Sequence, residues 1–144
     1  PEWFAVLDQA AKEMKDLEFI LPIHPNPNVN KHRDILKYVK VVDPMQYDDF
    51  IQLLAECKFV VTDSGGLQEE SSFFRKKCIV CRKTTERIEG MGVFSFLCMG
   101  TEDLRGLISW VDADHIPDSD EACPYGNGQS AKTIRKILKE QHGL

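Results

Sequence analysis

Short apolar runs alternate along this chain with segments whose apolar residues recur every three to four positions. That alternation limits the class of fold open to it. Phe19–Ile23, Val39–Val42, Phe59–Thr62 and Cys78–Cys81 read as strands, with Phe94–Cys98 a weaker one. Helices are expected at Trp3–Leu17, about Asn30–Leu36, Tyr47–Cys57, Leu67–Phe74, about Glu102–Val111 and Ser130–Gln141. Apolar strands joined through amphipathic helices form βαβ units, because parallel neighbours need a long crossover and the crossovers cover the sheet. The expectation is an α/β fold, a Rossmann-like parallel sheet with helices on both faces. In such a sheet ligands bind at the carboxyl ends of the strands.

The 144 residues suit a single domain, 1–144, large enough to bury a core without staples. One feature of the order is unusual. The chain opens on a helix, where a nucleotide-binding α/β domain begins with a central strand, so a fragment lacking that first strand is expected. The composition, 42% hydrophobic and 28% charged, is that of an ordinary globule, and a formal charge of -5 argues against nucleic acid as a partner. No apolar run reaches membrane-spanning length and the N-terminus shows no signal-peptide pattern, so no membrane partner and a cytoplasmic location are expected. Five cysteines, an odd number, favour reduced thiols. Cys78 and Cys81 form a C-x-x-C, but residues three apart on a strand point to opposite faces, so no metal site is read there. Cys57, Cys98 and Cys123 are read as buried filler.

The run Phe59-Val-Val-Thr-Asp-Ser-Gly-Gly-Leu-Gln-Glu-Glu70 carries the most chemistry. It reads as a strand stopping at Asp63, a two-glycine turn, and a helix. The first N–H groups of a helix lack intrahelical partners and its dipole is positive there, so an anion is favoured. Gly65 and Gly66 allow close backbone approach, and Ser64 has a hydroxyl for a phosphate oxygen. The same residues also make a good N-cap and turn with no ligand at all. Glu70, one helical turn after Gly66, shifts the balance. A carboxylate beside a diphosphate is repelled, so its expected role is to accept hydrogen bonds from ribose hydroxyls. Glu69 is expected to point elsewhere and be solvated. Seat and acceptor together point to a nucleoside diphosphate.

Several stretches then acquire a common reading. Pro22-Ile-His-Pro-Asn-Pro-Asn28, Val42-Asp-Pro44, Thr62-Asp-Ser-Gly-Gly-Leu-Gln-Glu-Glu70, Arg82-Lys-Thr-Thr-Glu-Arg87 and Pro124-Tyr-Gly-Asn-Gly128 occur in the order found in the non-hydrolysing UDP-N-acetylglucosamine 2-epimerases. The chain resembles the C-terminal half of that family over nearly its whole length. The resemblance implies one half of a GT-B fold, in which two Rossmann-like domains face a cleft. It implies UDP-N-acetylglucosamine or UDP as ligand, no metal or redox cofactor, a place in polysaccharide biosynthesis, and the possibility of a homodimer in the full-length enzyme. By the same resemblance Ser64, Gly65, Gly66 and Arg87 hold the diphosphate, Glu70 takes the ribose, and Phe50 lies near uracil. Without the family, Arg87 reads more readily as a solvated charge, and Phe50 equally as a core residue of its helix. Met45 stands where many members have glutamine, and a backbone contact there survives the change. His24 corresponds to a histidine that in some bacterial members helps bind a second, activating UDP-N-acetylglucosamine; taken alone it is a structural hydrogen-bonder in a Pro/Asn loop. The acid/base carboxylates belong to the family's N-terminal domain, so no catalytic residue is expected in this chain. Two other classes fit the bare motif: a non-catalytic UDP-sugar-binding module, and the nucleotide half of a GT-B glycosyltransferase.

Overall fold

A computed structural model of the chain describes residues 1–113 and 121–142. Helix α1 spans Glu2–Glu13 and turns Trp3, Val6, Leu7 and Ala10 to the core. Strand β1 (Ile20–Pro22) follows, then α2 (Pro27–Asn30) and a 3-10 turn at Arg33–Ile35. Strand β2 (Lys40–Val42), α3 (Tyr47–Glu56), β3 (Phe59–Thr62), α4 (Gly65–Phe73) and β4 (Lys77–Val80) come next. The remainder is β5 (Ser95–Leu97), α5 (Thr101–Asp112) and α6 (Ser130–His142).

Among the described residues all strand pairs are parallel, as the alternation predicts. They make two ladders, β1–β2 and β3–β4–β5. The central strand β4 is buried at every position. Ile79 faces a cluster with Ala10, Cys98, Leu104, Ile108 and Val111, so α1 and α5 cover one face. Its neighbours Cys78 and Val80 point the other way, where α4 packs. Fully burying side chains such as Ile79, Leu104 and Ile108 contributes about 1.5–3 kcal/mol each.

Two elements depart from expectation. The helix foreseen at about Asn30–Leu36 begins instead at Pro27, because proline presets the first helical φ and the Asn26 side chain accepts the Asn28 N–H. It stops at Asn30, and the 3-10 turn follows separately. Helix α4 begins at Gly65 rather than Leu67, so both glycines form its first turn and neither has a positive φ. Its other end closes with Arg75 in the left-handed region (φ 56) and Lys76 N–H bonded to Ser71 C=O at 2.8 Å.

One tie was not foreseen. Asp8 on α1 is buried, and its Oδ1 accepts the backbone N–H groups of Lys37 (2.7 Å), Tyr38 (2.7 Å) and Val39 (3.2 Å). These donors lie where the chain enters β2 and have no strand partner there, so one carboxylate oxygen stands in for three carbonyls. In α6, by contrast, every described side chain from Ser130 to Gln141 is exposed, including Ile134, Ile137 and Leu138.

Candidate functional site

The register sets Thr62 beside Val80 and Val80 beside Leu97, so the carboxyl ends of β3, β4 and β5 share one edge. The chain leaving β3 starts α4 there, and the chain leaving β4 runs into Arg82–Arg87. Ser64 is the N-cap of α4, with extended backbone (φ -88, ψ 127), and its hydroxyl makes no capping bond. The Ser64 N–H is taken by Thr62 Oγ1 at 3.0 Å. The N–H groups that open α4, beginning with Gly65 and Gly66, have no carbonyl one turn earlier to bond.

Gly65 is buried and Gly66 exposed. A Cβ on Gly65 would come within 3.0 Å of Glu86 Oε1, 3.1 Å of Arg87 Cζ and 3.2 Å of Arg87 Nε. The Arg87 guanidinium therefore lies directly on the first turn of α4, so close that a Cβ on Gly65 would push it aside. On Gly66 the one atom in reach is Ser64 Oγ, at 3.8 Å. The sequence assigned both glycines one role; the structure gives them two.

Arg87 is held from several sides. Its Nε donates to Glu69 Oε1 at 2.8 Å, and Nη1 pairs with Glu86. The hydrogen bond to Glu69, followed by the Coulombic pull of Glu86, raises the guanidinium pKa above its ordinary value. Its backbone N–H donates to Thr85 Oγ1 (3.2 Å), whose hydroxyl donates to the buried Gln68 Oε1 (3.0 Å). Its carbonyl accepts from Tyr125 Oη at 3.0 Å, and that oxygen accepts the Gly90 N–H at 3.2 Å. Glu69 thus corrects the expectation of a solvated side chain: it is only partly exposed and orients the arginine. Glu86 has its pKa lowered, first by a hydrogen bond from its own backbone N–H and then by Arg87 and Arg82. Arg82 Nη1 lies 3.2 Å from Glu86 Oε2. The first turn of α4 therefore faces a cation already engaged by two carboxylates.

Glu70 accepts from Tyr47 Oη at 2.9 Å. That bond ties the glutamate to the first turn of α3, the helix that carries Phe50. Phe50 and Met45 are half-buried. His24 accepts the Asn26 N–H on Nδ1 at 3.1 Å, and its carbonyl accepts from Asn30 Nδ2 at 3.3 Å, bonds made within its own loop. Ser64, Gly65, Gly66 and Arg87 are thus brought together, Glu70 reaches α3 through Tyr47, and His24 is engaged separately. Burial pushes the Cys78 and Cys81 thiols up to about 12, so both stay protonated at neutral pH. Among the described residues no cluster of three or more His, Cys, Asp or Glu is placed to hold a metal ion, and no helix is long and apolar enough to cross a membrane.

Residues 1–139 match the family model described as UDP-N-acetylglucosamine 2-epimerase. The chain belongs to the UDP-N-acetylglucosamine 2-epimerase family. The Neisseria meningitidis UDP-N-acetylglucosamine 2-epimerase is 32% identical over 139 residues, which is 90% of this chain and 37% of that protein. The chain superposes on the S. aureus MnaA–UDP complex with a TM-score of 0.88 at 26% identity, covering 99% of this chain and 41% of that one. It superposes on the N. meningitidis epimerase bound to UDP-GlcNAc with a TM-score of 0.80 at 28% identity, covering 97% and 41%. The chain therefore spans less than half the length of the epimerases it matches. Like theirs, its fold is the Rossmann-like unit of a GT-B arrangement.

The sequence reading passed over Tyr47, Gln68, Thr85 and Tyr125. A usable signal existed for one of them. Gln68 shares the buried side of α4 with Ser71 and Ser72, and a polar helix face turned to a sheet implies hydrogen-bonded partners.

Proposed function

We propose that this chain is the UDP-binding half of a UDP-N-acetylglucosamine 2-epimerase, which interconverts UDP-N-acetylglucosamine and UDP-N-acetylmannosamine. The observation that carries the reading is the Arg87 guanidinium lying against Gly65 at the N-terminus of α4. A charged fork and unbonded helical N–H groups there converge on one anion seat. In this reading Ser64, Gly65, Gly66 and Arg87 take the diphosphate, Glu70 the ribose hydroxyls, Phe50 the uracil face, and Met45 a backbone contact to the base.

The reaction removes the C2 proton of the sugar, breaks the C1–O bond, and lets UDP leave with the electron pair, giving 2-acetamidoglucal. Re-addition of UDP with protonation on the opposite face of C2 yields the epimer. This chain supplies stabilisation of the departing diphosphate, where negative charge grows as the bond breaks. The base and acid are assigned to the part of the family's length that this chain does not span. A homodimer, a cytoplasmic location, a role in polysaccharide synthesis and an activator contact at His24 belong to the same proposal.

Titration calorimetry with UDP, UDP-N-acetylglucosamine and ADP tests the site. Binding of both uridine ligands, with ADP at least tenfold weaker, is expected; equal affinity for ADP would overturn the uridine assignment. Incubating the chain alone with UDP-N-acetylglucosamine should give no UDP-N-acetylmannosamine, and turnover would refute the placement of the proton-transfer groups elsewhere.

A further inference from the structure

The Tyr47 hydroxyl donates to Glu70 Oε1 at 2.9 Å, across from the first turn of α3 to the second turn of α4. Tyr47 is 64% exposed. Its ring therefore contributes little to the core, and this hydrogen bond is its one described link to another element. Phe50 follows three residues later, on the same face of α3.

We propose that Tyr47 is a positioning residue that sets the preference of the site for a ribonucleotide over a nucleotide lacking the ribose hydroxyls. The inference rests on the reading of Glu70 as the ribose acceptor and adds the group that aims it. The final torsion of a glutamate is broad, so a free carboxylate samples many orientations. Receiving two neighbouring hydroxyls requires one of them. The Tyr47 hydroxyl occupies part of Oε1 and leaves Oε2 and the remaining lone pairs for the sugar. Ordering that would otherwise be lost on binding is then already in place. The tether also keeps its proton: the hydrogen bond to Glu70, then the charge of that carboxylate, raises the Tyr47 pKa.

Titration calorimetry with UDP and 2′,3′-dideoxy-UDP tests this on the wild-type chain and on Tyr47→Phe, Glu70→Ala and the double variant. The wild type should favour UDP by about tenfold or more, as expected for hydrogen bonds to a charged group. Tyr47→Phe should weaken UDP about fivefold and leave dideoxy-UDP within about twofold. In the Glu70→Ala background Tyr47→Phe should change neither ligand. Equal weakening of both ligands would mean a merely structural tyrosine and overturn the proposal, as would an unchanged preference or an effect that survives in Glu70→Ala. A wild type that binds both ligands equally would overturn the roles of Tyr47 and Glu70 and leave the diphosphate seat standing. A wild type that does not bind UDP would overturn the nucleotide site itself.

Discussion

Replacing Gly65 by alanine should separate binding from stability. The new Cβ would meet Glu86 Oε1 at 3.0 Å and the Arg87 guanidinium at 3.1 and 3.2 Å. These are the far ends of side chains, so they move by a few tenths of an ångström and the backbone stays. Alanine at a helical position stabilises by about 0.4–1 kcal/mol, because it narrows the unfolded ensemble. Loosening the partly exposed Arg87–Glu69 pair costs about 0–1 kcal/mol. The two offset, and net stability stays within about 1 kcal/mol of the wild type, which at this chain length is a melting shift of roughly 4 °C or less. Binding responds differently. Hydrogen bonds from a guanidinium to phosphate contribute about 1.5–3 kcal/mol, and a displaced fork forfeits them. UDP affinity should therefore fall about tenfold or more. Thermal melting and titration calorimetry with UDP read both quantities on the same sample. Affinity within twofold of wild type, or a melting drop beyond about 8 °C, would refute the reasoning. Gly66→Ala is the comparison: its Cβ meets only Ser64 Oγ at 3.8 Å, so any lost affinity there comes from the ligand's own approach.

Asp8→Ala strips the acceptor from three backbone N–H groups and should cost about 2–3 kcal/mol in denaturant unfolding; a loss under about 0.5 kcal/mol would show that water replaces it freely. Glu86→Gln removes a charge that competes with a ligand phosphate for Arg87, and UDP should bind about two- to fivefold tighter by calorimetry. Weaker binding would mean that Glu86 assists the ligand. Arg75→Gly places glycine where φ is 56, and should raise stability by about 0.5–1 kcal/mol, seen as a higher melting temperature; a decrease would point to a role for the Arg75 side chain that its backbone angle does not reveal.

Reading the sequence succeeded where one residue type answers to one physical need. Strand β3 lies at Phe59–Thr62, as its apolar run and the turn formers after it predict. The Ser-Gly-Gly turn and Arg87 converge, though the route between them runs through α4 and β4, which sequence spacing does not measure as distance. What escaped was pairwise. No rule read along one segment links Asp8 to residues 37–39, or Tyr47 to Glu70, because these partners come from different elements and any exposed carboxylate looks alike in sequence. Glu69 illustrates the error. Its helical position argued for solvent, yet the loop after β4 brings Arg87 to it.

The parallel pairing of β3 with β4 also governs when the seat comes into being. Parallel neighbours meet only after the intervening helix has crossed over, so their contacts close late compared with those of a hairpin. Arg87, Thr85 and Glu86 belong to the far side of that crossover, while Gly65, Gln68 and Glu69 belong to the helix within it. A peptide holding the glycine motif would reproduce its letters without the arginine that lies on it. The site is therefore a product of the completed ladder, and a nucleotide that recognises it binds the folded state alone. Added ligand should then draw the folding equilibrium toward the native chain in proportion to the logarithm of its concentration.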